Sequence, residues 1–428
     1  MTTDRQFEQR LPGMLEELYL GPMPAYRDHV LEATARTPQR PAWTFLGHWL
    51  PIIEPAQRVA GGTHSPWRSF ALVMLVAALT LALLAALIGG SRPRLPAPFG
   101  PARTGLVAYA SDGDIYTADA ATGATRPIVT GPETDLDPRW SRDGARLAFM
   151  RQAAGAALIF VTDPDGSNAI QITPEPLRVI SNYAFSPTGA EMLINTELAG
   201  VPTVLLAATD GSGVRELDIG RPATQGAWRP PDGREILFMD AGTWQGGFGG
   251  IHAVSPLGGP VRTIVEPVSG RFRDLAAWSP DGTRVGYMEW FETEGFTSRI
   301  HVVEADGTGD RVLPMPAEAH WEVFRGWSND GTRILAIRGY TPTWEGSVAV
   351  VRPPDDSGFG VEIADARIRE GSCCSVWEWA PDDSMILGIP TDQGGVARTQ
   401  VLVDPLTGTV AEVPWGAISD PAWQRLPD

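Results

Sequence analysis

The chain has 428 residues and a formal net charge of −17, with 47 glycines, 38 prolines and two cysteines. This abundance of turn-forming residues excludes a mainly helical protein, and two adjacent cysteines do not have the spacing of a zinc site. The acidic excess lies in residues 69–428, where 27 arginines face 44 acidic residues, so this part would repel the phosphates of a nucleic acid.

The first 68 residues differ from the rest, with seven arginines against seven acidic residues. Residues 1–50 predict short amphipathic helices, because Phe7, Leu11 and Leu18 recur at helical spacing. Residues 51–68 are rich in proline and glycine and predict a linker. The helical segment is either a tail without a partner or a docking segment for a cytoplasmic protein or the membrane surface.

An apolar run of 19 residues, from Phe70 to Ile88, contains Thr80 as its only polar member. A helix of this length spans roughly 28 Å, which matches the hydrocarbon core of a lipid bilayer. We therefore expect one transmembrane helix over 69–90; a cleaved signal peptide is disfavoured because 69 residues precede the run. Residues 91–103 contain four prolines and predict a stiff spacer. The count of arginines on the two sides of the run slightly favours the opposite orientation, but the order of segments favours a cytoplasmic N-terminus and an extracytoplasmic C-terminal domain.

A five-residue marker, Trp-Ser-Pro-Asp-Gly at 278–282, returns along the C-terminal three quarters of the chain. In each copy an aromatic residue closes one strand, a tight turn comes next, and an apolar strand follows. The marker aromatics lie 43 to 52 residues apart, at positions 140, 185, 228, 278, 327, 379 and 423. A period of this length is typical of propeller blades. Two copies depart in ways that predict wider turns, since Pro231 is an additional residue and Asp383 replaces the glycine.

The predicted fold is an all-β, seven-bladed β-propeller over residues 104–428, with six or eight blades less favoured. The repeat begins out of phase, because the strands at 106–109 and 115–118 correspond to the second and third strands of later copies. Residues 420–423 form a first strand with nothing after it. We therefore expect the C-terminal strand to complete the first blade and close the ring, which removes exposed sheet edges.

The marker, the apolar strand after it and a second Asp-Gly turn together resemble the TolB-type, WD-like β-propeller repeat. The second turn occurs at Asp165, Asp210 and Asp306. The resemblance covers about residues 105–428 and implies a propeller fold. The small N-terminal segment with one anchor is also similar in topology to membrane anti-sigma factors.

Residues that carry common enzyme chemistry are missing from this pattern. The sequence has no G-x-S-x-G nucleophile motif, no phosphate-binding glycine loop and no complete calcium loop. The six histidines lack ligand spacing, and His252 and His301 are expected in equivalent third strands, where a structural role is favoured. Cys373 and Cys374 are either two thiols or a strained vicinal disulfide. These observations predict a protein that is not an enzyme and that uses no metal or cofactor.

The turns of the predicted propeller lie on two opposite faces. The marker turns and the second Asp-Gly turns share one face, called here the marker face, and the loops between second and third strands share the far face. Loops on a rigid scaffold commonly carry binding sites, and aromatic side chains commonly anchor partners. The far-face loops predict a site for a protein, peptide or glycan ligand; the alternative is that the rings pack on their own blades. The candidate residues are Trp244, Phe248, Trp290, Phe291 and Trp344.

The function predicted from these features is a membrane-anchored, extracytoplasmic binding, scaffold or sensor module. One alternative is a transmembrane signalling regulator of the anti-sigma type, whose N-terminal segment holds a cytoplasmic partner. An enzyme that uses the propeller channel is the least favoured alternative. Nucleic acid is not expected as a partner.

Overall fold

The computed structural model describes residues 100–241, 249–291, 297–343, 346–363, 365–368, 376–390, 400–415 and 421–427. The predicted N-terminal helices, linker and transmembrane helix lie outside the described residues, as do Cys373 and Cys374. These segments therefore stay predictions. Within the described ranges, no helix has both the length and the apolar character needed to cross a bilayer.

The described residues form seven four-stranded antiparallel sheets, so the prediction of a seven-bladed propeller is confirmed. The strands of blades 1 to 3 are β1 (Arg103–Ser111), β2 (Asp114–Ala118), β3 (Thr125–Val129), β4 (Asp135–Trp140), β5 (Leu147–Ala153), β6 (Ala156–Thr162), β7 (Ile170–Gln171), β8 (Ile180–Phe185), β9 (Glu191–Leu198), β10 (Val201–Ala208) and β11 (Val214–Glu216). Blades 4 and 5 contain β12 (Ala223–Trp228), β13 (Ile236–Asp240), β14 (Ile251–Val254), β15 (Arg262–Val265), β16 (Arg271–Trp278), β17 (Arg284–Phe291), β18 (Thr297–Glu304) and β19 (Arg311–Val312). Blades 6 and 7 contain β20 (Trp321–Trp327), β21 (Ile334–Gly339), β22 (Val348–Arg352), β23 (Val361–Ile363), β24 (Val376–Trp379), β25 (Ile386–Ile389), β26 (Val401–Val403) and β27 (Val410–Glu412), with a short 3-10 turn at Ala366–Ile368.

The last strand, β28 (Ala422–Leu426), pairs antiparallel with β1 and completes blade 1. The register places Trp423 opposite Val107 and Leu426 opposite Arg103. Trp423 is 5% exposed and packs in a core that also contains residues of blade 7. The predicted closure of the ring by the C-terminal strand is therefore confirmed.

The marker turn of blade 5 shows why the repeat uses these residue types. The Ser279 hydroxyl donates to Oδ1 of Asp281 at 2.6 Å, and Oδ1 of Asp281 also accepts the Thr283 N–H at 3.1 Å. Gly282 has a φ of +68°, and a Cβ atom there would lie 2.0 Å from the carbonyl oxygen of Pro230 in blade 4. Glycine is therefore required both by the turn and by the approach of the neighbouring blade.

The two turns that depart from the marker differ in outcome. In blade 4 the Gly233 N–H bonds the Arg229 carbonyl four residues back, one residue further than the usual spacing, so the predicted wider turn is confirmed. In blade 7 the Asp383 N–H bonds the Ala380 carbonyl three residues back, as in the regular copies. The wider turn predicted there is wrong, because Asp383 adopts the glycine conformation itself, with a φ of +58°.

The marker aromatics form the layers between blades. The indole N–H of Trp327 donates to the Ala277 carbonyl of the preceding blade at 3.2 Å. Arg284 of blade 5 also lies over the Trp327 ring, 5.0 Å from its centre, and Arg333 lies in the same way over Trp379 of blade 7. The core is thus a series of inter-blade layers in which each marker aromatic joins two blades.

The first strands of the blades surround the axis of the ring. Strands β8, β12, β16, β20 and β24 lie side by side in that order, and β28 lies beside β4. The first strands of blades 2 to 6 each contain a shift of register, which is characteristic of a bulge. The axis is therefore lined by strands of irregular register.

Candidate functional site

A cavity of 280 Å³ lies at the marker-face end of the axis. Its walls come from the first strands and marker turns of blades 7, 1, 2 and 3, and we call it the channel mouth. The lining residues are Arg139, Trp140, Ser141, Arg142, Asn182, Tyr183, Ala184, Phe185, Glu378, Ala422, Trp423 and Arg425. Because residues from four blades converge only after ring closure, this site exists only in the complete propeller.

Departures from the marker converge at the channel mouth. The third marker position, proline in blade 5, is Arg142 in blade 2, Arg425 in blade 1 and Asn329 in blade 6. Arg425 donates to the Asn329 side-chain oxygen at 2.8 Å. Asp383, at the glycine position of blade 7, accepts the N–H groups of Asn329 and Asp330 at 2.7 and 2.8 Å. Blades 6, 7, 1 and 2 follow one another around the ring, and each contributes to the region of the channel mouth a residue that differs from the marker.

Arg142 lies in an unfavourable environment for a cation. Burial, followed by repulsion from Arg425, lowers the pKa of Arg142 to about 9, and attraction to Asp383 only partly opposes this shift. Arg142 still carries its charge at neutral pH. Both Arg142 and Arg425 line the mouth.

Other polar groups of the mouth are engaged with the first strands. Arg139 forms an ion pair with Asp137 at 2.7 Å. The Tyr183 hydroxyl donates to the Asp137 carbonyl, which joins blades 2 and 3. One oxygen of Glu378 accepts the Trp423 N–H at 3.4 Å. The mouth therefore combines a carboxylate, guanidinium groups and aromatic rings.

A larger cleft of 590 Å³ lies between blades 4 and 5 on the same face. Its central carboxylate, Glu235, is bonded by Arg262 at 2.8 Å and by Arg229. Burial alone would raise the pKa of Glu235, but these two arginines lower it below its usual value. Because these charges balance one another, the cleft offers a less distinctive binding environment than the channel mouth.

The aromatic residues predicted as a binding site are placed as follows. Trp290 stacks on Phe272 of its own blade, with ring centres 4.2 Å apart. Phe291 lies beneath the guanidinium of Arg271, also of blade 5, at 5.3 Å. Three further candidates lie outside the described residues: Trp244, Phe248 and Trp344. The far-face site stays a prediction, and the two described rings both pack on their own blade.

His252 and His301 occupy the third strands of blades 4 and 5, as predicted. His252 contacts Asp240 at 3.0 Å and the Thr263 hydroxyl at 3.1 Å. This chain of hydroxyl, imidazole and carboxylate resembles a catalytic relay in connectivity. However, His252 is 2% exposed and Thr263 lies in the fourth strand, away from the axis, so the contact has a structural role. In the part of the chain that the structure describes, no group of three histidine, cysteine or acidic residues could hold a metal ion.

Reasoning from the sequence missed the channel mouth. Arg142 and Arg425 stand at the two ends of the propeller sequence, and their proximity follows from closure. The available signal was the departure of Arg142, Asn329 and Asp383 from the marker. A comparison of the repeats with one another would have shown that these residues all lie in marker positions, and hence at one end of the axis.

Seven blades around a polar axis define the class of the protein as a closed β-propeller. No protein-family profile matches the chain. The uncharacterized peptidase YuxL of Bacillus subtilis is 34% identical over 86 residues, which is 20% of this chain and 13% of that protein. The match thus spans a small part of the relative, and the activity of the whole relative is not carried over by it.

Solved structures show the same fold at low sequence identity. An oligogalacturonate lyase in complex with manganese has a TM-score of 0.53 and 14% identity, covering 73% of this chain and 84% of the lyase. A puromycin-hydrolysing peptidase of Mycobacterium tuberculosis has a TM-score of 0.51 and 17% identity, covering 75% of this chain and 56% of the peptidase. Structures similar to this chain also include prolyl endopeptidases and TolB proteins. The β-propeller fold is thereby confirmed, whereas the TolB-type resemblance, the membrane anchor and the anti-sigma similarity stay predictions.

These comparisons contradict two predictions made from the sequence. The prediction that the protein is not an enzyme is wrong, and so is the prediction of a purely binding, scaffold or sensor module. The finding against both is that the matched relative is a peptidase and that the similar propellers belong to peptidases and a lyase. The physical reason is that a missing G-x-S-x-G motif excludes only one arrangement of catalytic groups.

Proposed function

We propose that the protein is an enzyme that hydrolyses peptides and that it binds its substrate at the channel mouth. The observation that carries the proposal is the joint presence of Glu378, guanidinium groups and aromatic rings around one cavity on the axis. The short stretch of identity with a peptidase supports the same class of reaction. Peptides offer carboxylates, amides and apolar side chains, and this wall has a partner for each.

Glu378 is the residue proposed as the general base. Its carboxylate accepts a proton from a water molecule while the water oxygen attacks the carbonyl carbon of the peptide bond. The C–N bond then breaks, and the proton passes to the departing amine. Partial exclusion of water by the rings of Trp140 and Trp423 strengthens the electrostatic interactions at this position.

A defined peptide mixture incubated with the complete purified chain, followed by mass spectrometry of the products, tests this proposal. We expect cleavage by the wild type and a loss of about a hundredfold or more in rate for Glu378→Gln. Glu216→Gln is the matched control, because Glu216 is exposed in the fourth strand of blade 3. Absence of cleavage by the wild type, or equal rates for both variants, would contradict the proposal.

A second candidate is a lyase acting on acidic oligosaccharides. The fold likeness to an oligogalacturonate lyase extends over 84% of that enzyme, and uronate carboxylates would also suit the arginines of the mouth. Elimination creates a double bond that absorbs ultraviolet light, so an absorbance assay with oligogalacturonate separates the two reactions. An increase in ultraviolet absorbance with oligogalacturonate, without peptide cleavage, would indicate that the protein is a lyase.

A further inference from the structure

A second cavity lies on the far face between blades 2 and 3, and we call it the far pocket. It has a volume of 390 Å³ and is lined by residues of β4, β5, β6 and β8, by Gly155 of the loop between β5 and β6, and by the segment before β8. Residues 135–216, which form these two blades, all lie within the described ranges. The larger apolar side chains of the wall are only half-buried: Leu136, Met150, Leu177 and Ile180.

The far pocket and the channel mouth share two first strands. Strand β4 contributes Leu136 to the far pocket and Arg139 to the mouth, and β8 contributes Ile180 to the far pocket and Asn182 to the mouth. Each first strand runs from the far face to the marker face, so the two cavities follow one another along the axis. Ile180 and Asn182 are two residues apart, which corresponds to about 7 Å along a strand.

Strand β8 is exposed over the step from one cavity to the other. It pairs with β9 on its outer side, and its inner side faces the axis. Ser181 and Asn182 are nevertheless exposed, so solvent reaches them from the axis. The Tyr183 hydroxyl donates to the Asp137 carbonyl, which holds β8 against β4 and fixes the spacing of the two cavities.

We infer that the channel mouth and the far pocket are two subsites of one peptide-binding path along β8, and that the far pocket binds an apolar side chain of the substrate. This inference rests on the proposed peptidase function and names its substrate class. An extended peptide advances about 3.3 Å per residue, so the apolar residue lies roughly two to four positions from the bond beside Glu378. Burial of its side chain removes apolar surface of both the peptide and the pocket wall from water, which favours binding.

A leucine scan provides the test. Octapeptides of alternating serine and glycine, in which a single leucine moves from position to position, are incubated with the complete wild-type chain, and the products are mapped by mass spectrometry. The same peptides are titrated calorimetrically into Glu378→Gln, in which turnover is blocked. We expect leucine at one fixed distance from the cleaved bond to raise kcat/KM, and the affinity of Glu378→Gln, by about tenfold or more. Equal values at all leucine positions would overturn the inference.

Two variants of Leu177 test the wall of the far pocket. Leu177→Arg places a charged side chain there and should remove the preference for leucine. Leu177→Ala enlarges the pocket and should shift the preference from leucine to phenylalanine, which a general loss of stability would not do. The control is Leu257→Arg, since Leu257 is 89% exposed in blade 4, and melting temperatures show whether each variant is folded. Folded Leu177 variants that keep the preference of the wild type would contradict the role of the far pocket.

The two proposals fail in different ways. Tighter binding of one leucine peptide to Glu378→Gln, without cleavage of any peptide by the wild type, would support the binding path and contradict the peptidase function. Cleavage at rates that depend neither on the position of leucine nor on Leu177 would support the peptidase function and overturn the binding path.

Discussion

Asp281 shows how one side chain stabilises a marker turn. Its carboxylate accepts the Ser279 hydroxyl and both the N–H and hydroxyl of Thr283. Burial alone would raise the pKa of Asp281, but these hydrogen bonds outweigh burial and hold the pKa below its usual value. Asp330 of blade 6 has the same partners and the same direction of shift.

A folded-state pKa below the unfolded value stabilises the protein above the unfolded pKa of about 3.9, and this contribution disappears as pH falls further. We therefore expect Asp281→Asn to lower the free energy of unfolding by about 1 kcal/mol at pH 7. The difference from wild type should shrink towards pH 3, because the carboxyl of the unfolded chain then takes up a proton and the contribution is lost as pH falls towards the lowered folded-state pKa. Urea unfolding at both pH values measures this. A difference that is independent of pH would contradict the role given to the charge.

Residues of the marker turns and of the channel mouth differ in how far the sequence predicts them. Gly282 was predictable as a turn residue, since Asp-Gly after an aromatic strand is a strong local signal. The regular turn at Asp383 was not, because aspartate is one of the few residues that adopt the glycine conformation at small cost. Arg142 and Arg425 line one cavity only when the ring is closed, and no local pattern contains this arrangement.

At the scale of the blade, the structure has ion pairs, each with at least one buried member, at equivalent places in different repeats. Each pair joins the first and second strands, with one member five residues before the marker aromatic and the other sixteen residues further along the chain. In blades 2 and 6 the acidic residue lies on the first strand and the arginine on the second, whereas in blade 5 the arginine lies on the first strand. The pairs are Asp135–Arg151, Arg273–Glu289 and Glu322–Arg338.

Blade 6 has the most buried of these pairs. Glu322 bonds Arg338 at 2.6 Å and also bonds Arg352, and all three residues are 1% exposed. Replacing Glu322 by glutamine would remove the anion that the two buried guanidinium groups share and leave Arg338 paired only with the partly exposed Glu362. We expect Glu322→Gln to lower the free energy of unfolding by about 3–5 kcal/mol.

Denaturant unfolding at pH 7 checks this value, with Glu216→Gln as a control on an exposed strand, for which a change within about 0.5 kcal/mol is expected. A loss below 1 kcal/mol for Glu322→Gln would show that the pair is not essential to the blade. The fixed spacing of sixteen residues could have been found in the sequence, but only a known register shows that the two side chains meet.

At the scale of the molecule, closure by β28 joins the two ends of the propeller. Arg425 on this strand also donates to the Gly100 carbonyl at 2.5 Å, which fixes the entry of the chain into blade 1. The closure was predictable, because Trp423 is a marker aromatic with no blade after it. The site that closure creates was not, since it needs four blades in place.

Deletion of residues 418–428 should therefore open blade 1 and expose its edge to other chains. Loss of the buried Trp423 ring alone typically costs about 3–5 kcal/mol, a large part of the roughly 5–15 kcal/mol of a domain. We expect a lower melting temperature and aggregation, measured by calorimetry and light scattering. The point variant Trp423→Phe, which retains an aromatic ring, should be affected less. A deletion variant that melts like the wild type would contradict closure by β28.

The central claim is that a peptide binds at the channel mouth with its scissile bond near Glu378. The most direct test is a crystal structure of the complete Glu378→Gln protein with a hexapeptide that has a free C-terminus. The account predicts peptide density in the mouth, with the carbonyl group of one peptide bond beside the side chain at position 378. Density on the far face beside Trp290 and Phe291, with an empty mouth, would contradict it.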